Sequence, residues 1–359
     1  MPFDPAVEEL LRSDRLVPWL DSNAPALGSG PLQARFLHGG TSNTIIALER
    51  NGRRAVLRRP PLNPPPNSEK AMMREAQALK ALGGTGVPHP ELFGFSEDPS
   101  IIGAPFYIME HVDGWAAELG EGDCLYPPPF DRADQKRPLA FALIDALVAL
   151  QAVDYRAAGL GDFGHPDGFL DRQVSRWRKQ FEGYEARYPG YRRRDIPGFD
   201  TVAAWLGQDI PAMGAPGIVH GDFGPPNVLF ANDPPVRVAA LIDWELATIG
   251  DPMMDVALLA INLRDDARPD VIPRAAYFDS THYPTRGEVI DYYGRKSGRD
   301  VSRADYYLTL AQFRLACILE YKVAASMTGA LPKAAGDRFA PMVVNLIADA
   351  HDRIARSEK

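Results

Sequence analysis

The sequence predicts an α+β protein of two lobes: a small lobe with a mostly antiparallel sheet and a helix, and a larger, mainly helical lobe. Short apolar runs bounded by Gly, Pro and Asn recur up to about residue 112, as in strands joined by tight turns. Beyond residue 114 the apolar residues recur mostly at helical spacing. We therefore divide the chain into residues 1–112, with a leading helix, and residues 113–359.

The first lobe begins with a helix and a pair of strands. Apolar residues near helical spacing predict a helix over residues 4–20, and two strands follow in ARFLHGGTSNTIIALER. The backbone N–H groups of the turn between these strands could close over phosphates, although a Gly-Gly between strands is also a common hairpin turn. The turn consists of Gly39, Gly40, Thr41, Ser42 and Asn43.

A third strand, AVLRRPP, ends in two arginines. Because neighbouring side chains of a strand point to opposite faces, only one of Arg58 and Arg59 can face a cleft. We assign that place to Arg58, whose planar guanidinium could hold a phosphate group. The alternative is a pair of solvated arginines at a sheet edge. The prolines of residues 60–66 then end the sheet.

A helix follows from an N-cap at Ser68 to Gly83-Gly84. Glu75 lies beside the apolar stripe of this helix and could reach Arg58; the alternative is a solvated glutamate. The strand FYIME and the link HVDG lead out of the first lobe.

The helical lobe contains long helices in RPLAFALIDALVAL and DGFLDRQVSRWRKQFEGYEARY, and three or four helices between residues 288 and 356. The second of these segments carries cations interleaved with Trp177 and Phe181. We interpret them either as a solvated face over a packed tryptophan or as a patch for an anionic substrate group. The cations are Arg172, Arg176, Arg178 and Lys179.

The stretch GIVHGDFGPPNVLF and the later ALIDWELATIGDPMMD contain the strongest pattern. Three polar residues, Asp222, Asn227 and Asp243, each stand beside a short apolar run. A hairpin of such strands would bring the three side chains to one end of a small sheet. Carboxylate and amide oxygens are suitable ligands for Mg²⁺. The alternative is a polar turn at Asp222 and an ordinary helix cap at Asp243.

The residues after Asp243 predict the start of another helix. Asp251 would be its N-cap, Pro252 its first residue, and Asp255 would lie in its first turn. Glu245 could support a metal ion or lie outside its ligand shell.

Composition excludes several classes of function. The chain has 359 residues, 45% hydrophobic and 24% charged, with a net charge of −8, which argues against a broad nucleic-acid surface. No apolar run approaches the length of a membrane helix, and the acidic N-terminus is unlike a signal peptide. Two cysteines, Cys124 and Cys317, argue against a disulfide framework. These features fit a cytoplasmic enzyme and leave its oligomeric state undetermined.

The pattern His-x-Asp-x-x-x-x-Asn from His220 to Asn227, followed by Asp243, resembles the protein-kinase-like fold. More of the chain resembles the aminoglycoside phosphotransferase/choline-kinase-like family. This resemblance rests on GGTSNT, AVLRRPP, GLGDFGHPDGFLDRQVSRWRKQ, VHGDFGPPNVLF, IDWELATIGDPMMD and GRDVSRADYYLTLAQFRLA. The motifs IDWELATIGDP and RQVSRW are especially similar to the branch with kinase-like domains fused to some acyl-CoA dehydrogenases.

The resemblance implies transfer of the γ-phosphoryl group of ATP, with Mg²⁺, to a hydroxyl of a small molecule. Residues 1–112 would be the nucleotide-binding lobe and residues 113–359 the catalytic and substrate-binding lobe. Asp222 would accept or orient the hydroxyl proton, and Asn227 and Asp243 would hold the metal. The nucleotide contacts would come from Gly39, Gly40, Thr41, Ser42, Asn43, Arg58, Glu75, Glu110 and Val112.

In this branch a hydroxy acid or its CoA thioester is one implied acceptor. Two other functions remain open at this stage. A catalytically silent nucleotide-binding regulatory module would explain why Arg58 stands where kinases have lysine. A metal-dependent hydrolase could use the same carboxylates, but it would leave the Gly-rich turn and Glu75 unexplained.

Overall fold

The computed structural model describes residues 5–37, 43–64, 68–119, 124–267, 273–274 and 280–357. The chain divides into two compact units. The first comprises Met1–Ala116, Val153–Phe163 and Asn227–Ala247, and the second comprises Ala117–Ala152, Gly164–Pro226 and Thr248–Lys359. The first unit thus includes two segments that lie beyond residue 112 in the sequence. The lobe boundary at that residue stays a prediction.

The strands are short and most of them lie in the N-terminal third. They are Leu32–Phe36 (β1), Thr44–Arg50 (β2), Arg53–Arg59 (β3), Leu92–Ser96 (β4), Phe106–Glu110 (β5), Glu118–Leu119 (β6), Cys124–Leu125 (β7), Gly217–Val219 (β8), Val228–Phe230 (β9), Val238–Leu241 (β10) and Thr248–Gly250 (β11).

The longest helices lie near the C-terminus. The helices are Pro5–Leu11 (α1), Ser13–Asn23 (α2), Ser68–Leu82 (α3), Pro99–Ile102 (α4), Ala133–Gln151 (α5), Gln173–Glu182 (α6), Tyr184–Arg187 (α7), Phe199–Gln208 (α8), Met253–Ala260 (α9), Arg286–Ser297 (α10), Ala304–Met327 (α11) and Lys333–Ser357 (α12), with 3₁₀ turns at Pro25–Leu27 and Pro225–Asn227.

The first unit contains an antiparallel sheet in the order β1-β2-β3-β5-β4 and a separate β9–β10 hairpin. One face of the sheet, with Ala55 and Leu57 of β3, packs on the apolar residues of α1 and α2. Arg59 is on that face, where its Nη1 donates to the carbonyls of Leu10 and Ile102 at 2.6 and 3.1 Å. Alternation therefore leaves Arg58 for the opposite face.

The second unit is mainly helical. Its central helix is α11, which packs against α6, α8, α9 and α12, while α5 packs against α10. Most residues of α11 are buried, as expected for a helix that is apolar on most sides. The strands β8 and β11 pair antiparallel beside these helices. The sheet of the first unit and the helices of the second confirm the predicted α+β class.

Several boundaries differ from those expected. The leading helix is two helices separated at Arg12, which has a φ of 45°. Helix α3 includes Ser68, which the sequence predicted as its N-cap. The long segment around RQVSRW is helical only in α6 and α7. The strands β4 and β11 were not predicted, because both contain glycine and lack a clear alternation. Among the described helices none combines the length and apolar character needed to cross a membrane.

Candidate functional site

In the first unit, Arg58 of β3 and Glu75 of α3 form a buried ion pair. Arg58 Nη1 lies 2.8 Å from Glu75 Oε2, and the two side chains are 8% and 0% exposed. The strand register places Arg58 between Ile45 of β2 and Tyr107 of β5, so it projects from an inner strand toward the helix. The contact predicted between Glu75 and Arg58 is therefore present, and neither residue is a solvated surface charge.

Two further donors hold the Glu75 carboxylate. The Tyr107 hydroxyl donates to Oε2 at 2.7 Å, and Asn43 Nδ2 donates to Oε1 at 3.4 Å. Burial raises the pKa of Glu75 to about 7, although Arg58 opposes this shift. Burial alone would lower the pKa of Arg58, but Tyr107, Glu75 and Asp243 outweigh it and raise that pKa. Arg58 therefore remains a cation although it is buried.

Asp243 lies just beyond β10 in the left-handed region, with a φ of 68°. Residues other than glycine seldom adopt this conformation, and such residues cluster at functional sites. Its Oδ1 lies 3.5 Å from Arg58 Nη2. Within the described part of the chain this buried oxygen has no hydrogen-bond partner. Because an unsatisfied buried oxygen is costly, its presence indicates a place for an external cation or donor.

The β9–β10 hairpin brings Asn227 and Asp243 to the same end. Asp222, which the sequence pattern grouped with them, lies in a loop of the second unit. Val228 pairs with Leu241, and the N–H of Ile242 donates to the carbonyl of Asn227 at 3.0 Å. Asn227 immediately precedes β9, and Asp243 immediately follows Ile242. The backbone of the hairpin thus determines where both side chains begin.

Three carboxylates of the first unit could hold a metal ion. Glu75, Asp243 and Glu245 each offer an oxygen within 4.8 Å of the others. Glu75 accepts a hydrogen bond from Tyr107 and pairs with Arg58, and Asp243 Oδ1 also lies 3.5 Å from Arg58. These hard oxygen donors, together with the unsatisfied Oδ1 of Asp243, fit Mg²⁺.

The other predicted nucleotide contacts are only partly described. Glu110 ends β5, where its N–H donates to the carbonyl of Glu91 at 2.8 Å and its Oε2 accepts the Glu91 N–H at 3.2 Å. The N–H of Glu110 is therefore bonded within the protein. Val112 lies two residues beyond β5 and is half-buried. Residues of the predicted phosphate turn that lie outside the described residues are Gly39, Gly40, Thr41 and Ser42.

In the second unit, a loop carrying Asp222 follows β8. The carboxylate of Asp255 accepts the N–H of His220 at 2.7 Å and that of Gly221 at 2.9 Å. The N–H of Asp222 in turn donates to His220 Nδ1 at 3.3 Å. The fully buried His220 therefore braces the loop by hydrogen bonding, and Asp255 does the same.

The β8–β11 pairing explains why Asp255 reaches this loop. Thr248 pairs with Val219 and Gly250 with Gly217, so the chain enters α9 beside the strand that leads to the loop. Burial raises the pKa of Asp255, while His220, the two backbone N–H donors and Arg314 oppose that shift. The carboxylate therefore depends on its hydrogen bonds for its charge.

Sequence reasoning missed Arg314 of α11. Its Nη2 donates to the carbonyl of Gly221, and its guanidinium lies 5.1 Å from the ring centroid of Trp177. The signal in the sequence was the family resemblance of RQVSRW and of GRDVSRADYYLTLAQFRLA, which ends with Arg314 in FRLA. The sequence did not reveal that these two motifs meet at this loop.

Contacts of Arg172 and Arg178 favour one of the two interpretations of the cations at α6. Arg172 donates to the carbonyls of His165 and Asp167. Arg178 pairs with Glu182 at 3.0 Å and with Asp200 at 2.7 Å. These two cations are engaged within the protein, and Trp177 is buried, with the guanidinium of Arg176 4.8 Å from its ring centroid. The alternative of a solvated face over a packed tryptophan agrees with the structure.

The start of α9 also differs from the prediction. The helix begins at Met253, so Pro252 occupies the cap position that was assigned to Asp251. Asp251 nevertheless accepts the N–H of Met253 at 3.0 Å, and its other oxygen accepts the Tyr307 hydroxyl at 2.7 Å. Asp251 therefore accepts one N–H of the helix from the position before the N-cap residue Pro252.

Known proteins resemble the chain in sequence and in fold. Acyl-CoA dehydrogenase family member 11 of Gallus gallus is 30% identical over 326 residues, which are 89% of this chain but 40% of that protein. The chain thus spans less than half the length of this relative. A structure from Ralstonia eutropha JMP134, named a candidate aminoglycoside phosphotransferase, is 29% identical with a TM-score of 0.76 and covers 95% of this chain and 98% of its own.

A more distant structure supports the fold alone. It is a thermostable mutant of aminoglycoside phosphotransferase APH(4)-Ia in a ternary complex with AMP-PNP and hygromycin B. It is 15% identical, with a TM-score of 0.57, and covers 96% of this chain and 98% of its own. The model of the phosphotransferase enzyme family, APH, matches residues 33–289. The chain therefore belongs to the phosphotransferase enzyme family.

Proposed function

We propose that the protein transfers the γ-phosphoryl group of ATP to a hydroxyl of a small molecule and requires Mg²⁺. The observation that carries this proposal is the placement of Arg58 between two carboxylates, 2.8 Å from Glu75 and 3.5 Å from Asp243. A cation held in this way is oriented before a phosphate arrives. Phosphoryl transfer depends mainly on such positioning and charge neutralisation.

Arg58 would bind the phosphates in place of the usual lysine. Its guanidinium has more donors than an ammonium group, so it can pair with Glu75 and still face a phosphate oxygen. Asn227 and Asp243 would hold Mg²⁺, with Glu245 beside them. The ion, when bound, would neutralise phosphate charge. This assignment also gives a partner to the unsatisfied Oδ1 of Asp243.

Asp222 would accept the proton of the acceptor hydroxyl while the hydroxyl oxygen forms a bond to the γ-phosphorus. ADP would leave with the electron pair of the broken P–O bond, and the proton would pass from Asp222 to solvent. A proton acceptor must be held in register with the hydroxyl. The hydrogen bonds from the loop to Asp255 and His220 support this role for Asp222.

We further propose a hydroxy acid or a hydroxyacyl-CoA as the acceptor. This choice is supported by the similarity to a relative named for acyl-CoA dehydrogenation. An aminoglycoside is the competing acceptor, suggested by the names of the structural neighbours. A cytoplasmic location completes the proposal, since Cys124 and Cys317, both described, form no disulfide.

The test is an assay of purified protein with ATP, Mg²⁺ and separate panels of hydroxyacyl-CoA thioesters, hydroxy acids and aminoglycosides, with products identified by ³¹P NMR. We expect a phosphorylated acyl compound, and a loss of about 10²-fold or more in kcat for Asp222→Asn. The matched control is Asp233→Asn, an exposed aspartate of the β9–β10 turn, which should retain wild-type turnover.

The other outcomes are distinct. Transfer to aminoglycosides alone would overturn the acyl acceptor but not the kinase activity. Nucleotide binding without transfer to any acceptor would favour the silent regulatory module. Release of inorganic phosphate with no phosphorylated acceptor would favour the hydrolase. Unchanged turnover by Asp222→Asn would contradict the role of this residue.

A further inference from the structure

We infer that Arg314 is a positioning residue for Asp222, and that the RQVSRW motif exists to hold Arg314 in place. This inference rests on the proposed role of Asp222. It concerns the peptide group that joins Gly221 to Asp222. The orientation of that group determines where the Asp222 side chain leaves the backbone.

Both polar atoms of this peptide group are bonded. Arg314 Nη2 donates to the carbonyl of Gly221, and the N–H of Asp222 donates to His220 Nδ1 at 3.3 Å. The preceding peptide is held through the Gly221 N–H, which donates to Asp255 at 2.9 Å. The loop is thus held from α11 on one side of Gly221 and from α9 on the other.

Gly221, which lies between these two sets of hydrogen bonds, has a φ of 84°. Glycine enters this region freely, and it can also leave it freely because no Cβ opposes the rotation. Rotation at Gly221 would turn the next peptide plane and change the direction in which the Asp222 side chain leaves the backbone. A misplacement of about 1 Å can cost about 10²-fold in rate. A fixed donor on the Gly221 carbonyl resists that rotation.

Arg314 is itself held by an aromatic ring. It is 7% exposed, and its guanidinium lies 5.1 Å from the ring centroid of Trp177. The Trp177 indole Nε1 donates to Gln173 Oε1 at 3.0 Å within the same helix. A buried cation is stable only with such partners. Gln173 and Trp177 are the Gln and Trp of RQVSRW, so the buried face of this motif supports a residue that holds the loop.

The experiment compares Arg314→Met with Arg353→Met. Arg353 is a matched control because it is also a buried arginine of the second unit, 5% exposed, and it donates to Gln312 of α11 at 2.6 Å. Both variants should lose stability. Below both melting temperatures, Arg314→Met should lower kcat about 10- to 100-fold with KM for ATP within about twofold, while Arg353→Met should keep wild-type kcat. Equal losses of kcat would overturn the inference.

Conservative variants separate positioning from simple packing. Arg314→Lys keeps a cation that can donate to the Gly221 carbonyl, so it should recover part of the kcat lost in Arg314→Met. Trp177→Phe keeps an aromatic face and should recover more activity than Trp177→Leu. A kcat that follows melting temperature across all these variants would show a merely structural role.

A readout independent of turnover distinguishes failure of this inference from failure of the proposed function. Amide hydrogen exchange of the peptide covering residues 218–223 should be at least about tenfold faster in Arg314→Met, but unchanged in Arg353→Met. Faster exchange in Arg314→Met, in a protein that has no phosphotransferase activity, would support the loop contact and contradict the proposed function. Unchanged exchange in Arg314→Met, in a protein that is an active phosphotransferase, would contradict the inference about Arg314 and leave the proposed function intact.

Discussion

The carboxylate of Asp255 accepts the backbone N–H of His220 at 2.7 Å, although the two residues are 35 positions apart in the chain. A buried acid that binds backbone N–H groups is a rigid connection between a helix and a loop. Here it joins the first turn of α9 to the residues that lead to Asp222.

Asp255→Asn should destabilise the protein and reduce turnover. The amide retains one oxygen acceptor but turns an NH₂ group toward the second backbone N–H, which leaves a buried donor unsatisfied. We expect a loss of about 2–3 kcal/mol in the free energy of unfolding, measured by urea denaturation. Asp233→Asn is the surface control and should change stability by less than about 0.5 kcal/mol. Wild-type stability of Asp255→Asn would contradict the hydrogen-bonding pattern.

Arg58→Met should be more harmful than Arg58→Lys. The methionine leaves Glu75 buried without its cation, and breaking a buried pair in this way costs about 3–5 kcal/mol. Lysine keeps the charge but loses the fork that faces both Glu75 and Asp243, so its main effect should be a higher KM for ATP. Arg53→Met, at an exposed position of the same strand, is the control. Equal stability of Arg58→Met and Arg53→Met would refute the pair as a structural element.

Asp243→Asn should weaken the response to magnesium. The amide removes a charge at the oxygen that has no hydrogen-bond partner within the described residues. We expect the Mg²⁺ concentration for half-maximal activity to rise at least about tenfold, because carboxylate ligands contribute most to binding a hard cation. The rise should be smaller for Glu245→Gln, since Glu245 would lie beside the proposed ligands. Titration of activity at constant ATP measures this. An unchanged requirement in both variants would place the ion elsewhere.

Arg74→Gln should loosen α3. Arg74 donates to the carbonyls of Phe163 and Ala247 at 2.7 and 3.0 Å, and its guanidinium lies 4.1 Å from the Phe163 ring centroid. It therefore ties the helix of Glu75 to the segment after Asp243. We expect a loss of about 1–3 kcal/mol in unfolding free energy and a higher KM for ATP. Lys70→Gln, at an exposed position of α3, should leave both quantities near wild type.

The Arg137–Glu288 pair should make stability depend on acid pH. Hydrogen bonds from Arg137 and from the N–H of Thr285 lower the pKa of Glu288 to about 2. The stabilisation is therefore present above the unfolded pKa of about 4.3 and is lost as pH falls toward 2. Because the side chain is 43% exposed, screening reduces the contribution to about 1 kcal/mol.

The measurement is the unfolding free energy of wild type and Glu288→Gln between pH 2 and 7. Glutamine preserves the capping box with Thr285, so the difference isolates the charge. It should be largest near pH 7 and vanish near pH 2. In an Arg137→Met background the difference should become smaller, with the part due to the Thr285 N–H remaining. A difference that does not vary with pH would show that the pair contributes no charge-dependent stability.

Much of the candidate site could be predicted from local patterns. The hairpin that places Asn227 and Asp243 follows from short apolar runs and turn residues, and these are properties of adjacent positions. Strand alternation predicts that Arg58 and Arg59 lie on opposite faces of the sheet, so that only one of them can face a cleft. The partners of Arg172 and Arg178 could not be predicted, because residue type does not reveal that nearby carbonyls and acids engage those cations.

The sequence by itself determined the α+β class, the helix that carries Glu75, and the polar residues that end the strands, since periodicity, caps and turns act over a few residues. Only the tertiary structure decided that Arg314 meets Gly221, a separation of 93 residues, and that Asp243 adopts a left-handed backbone beside Arg58. Such contacts depend on how helices and strands pack to satisfy buried charges, and no local pattern encodes which distant partner does so.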